Sequence, residues 1–252
     1  MADDEEDFSI TLRGSLKSAN PAVILSVPDT GLVGSIAASQ IIHELAAEEV
    51  GSIESDLIPP VVIVRDGEPK TPLMIHQKDD IVTVTSDIPL PPVTIYPFAR
   101  AIVKWAKQHN ARVLLGVTGL PISNRLEVES STVFGVATTQ ACRKQLSSAD
   151  IEVFREGIIA GPYAVFIKEA EREDVPAVTL LAEAHLQFPD PGASAAAVKA
   201  VNRFLNLNVS VDSLLEKAED IRIRARDLMR RTQEQMRVQQ KAREQELPGI
   251  YV

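Results

Sequence analysis

Cysteine is nearly absent, with Cys142 the single thiol in 252 residues. A lone cysteine excludes an intramolecular disulfide and any cysteine-rich zinc site, and it fits a reducing, cytoplasmic compartment. The four histidines, His43, His76, His109 and His185, stand singly. None forms a His-x-x-x-His or His-Glu pair at ligand spacing, so no metal centre is expected. No apolar run approaches the ~20 residues a membrane span requires. An excess of positive charge is missing too: the formal net charge is −9. That argues against a general nucleic-acid binder, which needs a basic surface to engage phosphates. A Gly-x-Ser-x-Gly elbow, a Gly-Lys-Ser/Thr loop and any repeat of 20 to 50 residues are likewise absent. Residues 1–7 (MADDEED) are acidic, the opposite of a secretory leader, and read as a disordered arm.

An apolar fraction of 45% and a charged fraction of 24% are those of a soluble chain with one substantial core. AVILSV, from Ala22, reads as a strand buried on both faces. A glycine turn, Asp29-Thr30-Gly31-Leu32-Val33-Gly34, and a helix to Leu45 follow it. Strands are expected at 61–64 (VVIV), 73–76 (LMIH), 81–85, 112–117, 132–138, 150–154 and 177–182, with an Asp66-Gly67 turn leading from VVIV toward LMIH. Helices are expected from about Thr94 to His109, after Gly161 to Glu171, and from Asp190-Pro191-Gly192 onward. This alternation predicts a three-layer α/β/α domain over residues 8–206.

Residues 207–245 change character and read as a long helix from about Asp212. Leu214, Ala218, Ile221, Ala225 and Leu228 recur at spacings of four and three, an apolar seam for packing on the domain or on another copy. At ~1.5 Å per residue such a helix runs on the order of 50 Å, so its second half projects. Its arginines, Arg222, Arg224, Arg226, Arg230 and Arg231, are interleaved with acids and make a solvated face.

Few residues invite chemistry. The glycine turn could cradle a phosphate at a helix start, but it lacks a third fingerprint glycine, and close helix–strand packing accounts for it. Ser26, Thr30 and Asp190 could converge at the carboxyl edge of a parallel sheet, although a helix N-cap explains Asp190 more simply. No catalytic residue and no cofactor is expected.

The last seven residues, 246–252 (ELPGIYV), draw more attention. Pro248 and Gly249 stop the helix, leaving Ile250, Tyr251 and Val252 with a free carboxylate. An apolar anchor, a phenol and a negative charge on a flexible tether suit a pocket with a basic floor. Folding back onto the domain is the other reading these residues leave open. The triplet resembles the C-terminal hydrophobic–Tyr–any-residue motif by which activators dock between α subunits of the proteasome core particle. With no phosphate-loop lysine, such a tail would not belong to an ATPase.

Three further stretches resemble the proteasome assembly chaperone family in its archaeal form. They are Pro28 to Gly34 with the helix behind it, Gly157-Ile158-Ile159-Ala160-Gly161-Pro162 with the segment to His185, and Asp190-Pro191-Gly192-Ala193-Ser194-Ala195-Ala196. The resemblance implies an α/β/α fold akin to nucleoside phosphorylases. It implies a homo-oligomer, with a tetramer favoured, whose partner is the core particle α-ring rather than nucleic acid or membrane. It assigns docking to Leu247, Ile250, Tyr251 and Val252, with the terminal carboxylate meeting a pocket lysine. The rival is a small-molecule enzyme of nucleoside phosphorylase type using the Gly31–Gly34 turn and the mouth near Thr118.

Overall fold

The computed structural model describes residues 7–125, 128, 130–186, 188–216, 218, 220 and 223. The elements in chain order are β1 (Ser9–Leu12), β2 (Ala22–Ser26), α1 (Val33–Leu45), β3 (Glu48–Glu54), β4 (Ile63–Arg65), β5 (Glu68–Lys70), β6 (Leu73–Lys78) and β7 (Ile81–Ser86). They continue with α2 (Ile95–Gln108), β8 (Val113–Pro121), β9 (Val133–Ala137), α3 (Gln140–Ser148), β10 (Glu152–Val153), α4 (Pro162–Arg172), β11 (Ala177–Ala184), α5 (Pro191–Leu205) and α6 (Asp212–Glu216). Nine strands form one sheet in the order β1-β3-β6-β7-β2-β8-β11-β9-β10. Its centre, β7-β2-β8-β11, is parallel, and both flanks are joined to it antiparallel.

Burial explains the pattern of each strand. All five residues of β2 are buried, because helices cover both faces of the central strands. β1, on the rim, alternates exposed and half-buried residues. Ala22 and Ile24 of β2, with Val113, Leu115, Val178 and Leu180, face α1, α3, α5 and α6. Val23 and Leu25, with Val82, Val84 and Leu114, face α2 and α4. Each fully buried Val, Leu or Ile contributes ~1.5–3 kcal/mol relative to exposure. The described chain is thus a mixed α/β sheet between two helical layers.

Two expectations need correcting. VVIV does not enter the main sheet: β4 spans Ile63–Arg65 and pairs only with β5, so the Asp66-Gly67 turn closes a separate hairpin. Pro69 sits opposite Val64, and Val62 and Val64 are exposed, as suits a rim hairpin. The strand expected at 150–154 shrinks to two residues. Among the described residues no helix is long and apolar enough to cross a membrane.

Candidate functional site

Three loops meet where the parallel strands end. β2 runs into the turn at Gly31, whose φ of 62° is open to glycine at little cost. Its carbonyl accepts a hydrogen bond from the Asp190 N–H at 2.9 Å. A Cβ at Gly34 would overlap the Val117 carbonyl oxygen, and one at Gly119 would lie 2.5 Å from the Thr30 carbonyl oxygen. The glycine turn is therefore pressed directly onto β8 and the end of β11. Gly34→Ala forces α1 away from β8 and is expected to cost ~1–3 kcal/mol. For a chain of this size that is a fall of roughly 3–10 °C in melting temperature by calorimetry.

The polar side chains of this edge engage one another. Thr118 Oγ1 donates to Asp29 Oδ2 at 3.0 Å. Arg125 Nε and Nη2 donate to the two oxygens of Asp190 at 2.7 and 3.1 Å, and both side chains are buried. The same carboxylate accepts from Ala193 N at 2.9 Å and His185 N at 3.2 Å, so Asp190 caps α5 as the sequence implies. Arg125 is the partner the sequence did not reveal. It lies in a loop with no periodic pattern, 65 positions from Asp190. Tyr163, fully buried at the start of α4, accepts from Val27 N at 3.0 Å and donates to Val27 O at 3.3 Å. Burial pushes its phenol far above the usual tyrosine range. The hydroxyls of Ser26 and Thr179, inside β2 and β11, are buried without a partner. Among the described residues no group of His, Cys, Asp and Glu is placed to hold a metal ion. A groove of about 490 Å³ runs along α5, lined by both signs of charge, Asp150 and Glu152 with Lys199 and Arg203.

The other candidate region is the root of α6. Asn206, with φ 56°, ends α5. Asn202 then clamps the connection, its side chain donating to Val209 O at 2.8 Å and accepting from Val209 N at 3.0 Å. From α1, Gln40 Nε2 donates to Ser210 O at 2.7 Å and to Ser213 Oγ at 3.2 Å. Val209, Val211 and Leu214 are buried in the core. The first seam residue, Leu214, thus packs on its own domain. Ala218 is half-buried, and Leu215 and Ile223 are exposed. Ile221, Ala225 and Leu228, and the docking residues Leu247, Ile250, Tyr251 and Val252, lie outside the described residues.

Comparison with known proteins agrees with this architecture. The fold is similar to that of PbaA from Pyrococcus furiosus, an archaeal homolog of proteasome-assembly chaperone. That match has a TM-score of 0.83 and 31% identity, and it covers 91% of this chain and 99% of PbaA. PbaB of the same organism, an archaeal proteasome activator, shares the fold with a TM-score of 0.75 at 21% identity, over 88% of this chain and 99% of PbaB. An uncharacterized protein of Methanocaldococcus jannaschii is 31% identical over 216 residues, 86% of this chain and 88% of that protein. The family model described as the PAC2 family matches residues 23–229, from β2 to beyond the root of α6, and the chain is a member of that family.

Proposed function

We propose that the chain is a cytoplasmic proteasome-binding chaperone or activator that works without hydrolysing ATP. The reading is carried by the likeness to PbaA, which spans 91% of the chain at 31% identity. In this reading Ile250, Tyr251 and Val252, with Leu247 at the base, enter pockets of the core particle α-ring and bias its gate or steady assembling rings. The terminal carboxylate meets a pocket lysine in a charge-assisted contact. A single tail buries little surface, so useful affinity needs several tails on one body, acting through effective concentration. A homotetramer supplies them, with Ile221, Ala225 and Leu228 continuing the seam that Leu214 begins. The clamped root of α6 supports the same reading, because a tail is aimed only if its base is held.

The enzyme alternative has less support, since at the edge where a substrate would sit Thr118 bonds to Asp29 and Arg125 bonds to Asp190. Immobilised core particle is the test. The full chain is expected to be retained, and a chain ending at Glu246 to pass through with unchanged mass in light scattering. Equal retention of both would sink tail docking. Failure of the full chain to bind would sink the proteasome role altogether.

A further inference from the structure

β4 and β5 stand apart from the nine-stranded sheet, and among the described residues they pair only with each other. A two-stranded hairpin is marginal in water unless its apolar face is covered. Here the outward face is the apolar one. Side chains alternate along the first strand, so Val61 and Ile63 are half-buried while Val62 and Val64 are 63% and 68% exposed. Polar contacts tie this arm to the body: Arg65 Nη2 donates to both oxygens of Asp87 at 2.7 Å, and Lys70 Nζ lies 3.7 Å from Glu49. Asp87 follows β7, so the hairpin stands at the carboxyl end of the parallel strands, next to the loop into α2. Val93 and Tyr96, just before and within the first turn of that helix, are 68% and 47% exposed.

A cavity of about 430 Å³ lies at the root of the hairpin, and Ile58, Pro59, Pro60, Val61 and Pro72 give it an apolar wall. An apolar cavity of ~150 Å³ already admits a benzene ring, so two valine side chains fit. The surface thus holds a projecting apolar knob beside an apolar hollow. A two-fold contact needs that combination, since residue i of one copy meets residue j of the other while j meets i. Charge selects the same occupant. Two copies of a chain of net charge −9 repel each other unless they meet on a balanced patch. Residues 57–72 carry two cations, Arg65 and Lys70, against two anions, Asp66 and Glu68, and residues 88–99 carry no charge. The centres of interfaces are likewise depleted of charge.

We propose that a second copy of this chain covers the hairpin. Val62 and Val64 of each copy enter the cavity at the root of the other's hairpin, about a two-fold axis, with Val93 and Tyr96 packed beside them. The proposal deepens the homo-oligomer reading above and rests on it. A tetramer of two-fold symmetry needs two different contacts. The hairpin supplies one, and the helical seam begun by Leu214 supplies the other.

Light scattering on the full chain at micromolar concentration is the first arm of the test. Val62→Asp with Val64→Asp is expected to lower the mass at least twofold and leave the circular dichroism spectrum unchanged, because both side chains are exposed in the single copy. Cysteine trapping is the second arm and puts no charge on the hairpin. Val64→Cys chains mixed with ¹⁵N-labelled Pro60→Cys chains should form a mixed disulfide at least about threefold faster than with labelled Lys144→Cys chains, whose thiol sits on α3. Equal rates for the two mixtures would overturn the proposal. An oligomer of unchanged mass in the aspartate variant would overturn it while the homo-oligomer reading stands. If that variant keeps its mass and loses retention on core particle, the patch faces the core particle and the proposal fails. A monomeric parent would overturn both readings.

Discussion

Tyr251→Ala is expected to abolish retention on the proteasome core particle and any stimulation of its peptidase activity. Melting temperature and oligomer mass should stay as they were. The ring supplies contact area and the hydroxyl a donor, and anchors of this kind cost at least ~2 kcal/mol when cut back to alanine. That is about thirtyfold per tail, and on the order of a thousandfold when two tails engage together. Amidating the C-terminus should weaken the proposed docking by removing the charge that a pocket lysine would meet. One residue added after Val252 should do the same by moving the carboxylate out of register. If Tyr251 packs on its own domain instead, the variant should melt earlier and still bind. Melting temperature and peptidase stimulation on one preparation separate the two outcomes.

The second large effect belongs to the body. Asp190→Ala removes the cap of α5 and leaves the Arg125 guanidinium buried without its carboxylate. Breaking a buried pair from one side costs ~3–5 kcal/mol, and losing a cap adds ~1 kcal/mol. Calorimetry should show a fall in melting temperature on the order of 10 °C. Pairing Arg125→Met with Asp190→Asn should recover most of the loss, since Asn still accepts from Ala193 N while the methionine stem fills the guanidinium space. A melting temperature within about 2 °C of the parent for Asp190→Ala alone would refute the account. Below its melting point the variant should bind core particle as the parent does, because no tail residue has changed.

Where burial is two-sided the sequence was easy to read. AVILSV and the runs ending at Val117 and Ala182 are almost wholly apolar, interrupted only by the small hydroxyl residues Ser26 and Thr179, so their strands follow from composition. The family expected from Pro28 to Gly34, Gly157 to Pro162 and Asp190 to Ala196 is the one the comparisons found. Rim elements were less legible. β1 is four residues long, and β3, EEVGSIE, mixes glutamates with apolar residues because one face meets solvent. α3 was not foreseen at all. Only Cys142 and Leu146 of its nine residues are buried, too few to set a period. VVIV misled because a run of β-branched residues looks the same in a buried strand as in an exposed hairpin. Arg125 was hidden for another reason. Its role is defined by Asp190, and a pair 65 positions apart leaves no local signature.

The strand order has a consequence in time. Among the described residues β9 pairs with no strand but β11 and β10, and β11 lies between β9 and β8. During synthesis β9 therefore cannot join the sheet until β11 exists. Ala184 follows Ala137 by 47 positions, so at ~5–20 residues per second the interval is roughly 2–9 s. Throughout it the far edge of β8 stays open, offering unpaired backbone groups to any extended segment nearby. A protein proposed to escort the assembly of others thus passes through several seconds of its own making in which it needs shelter.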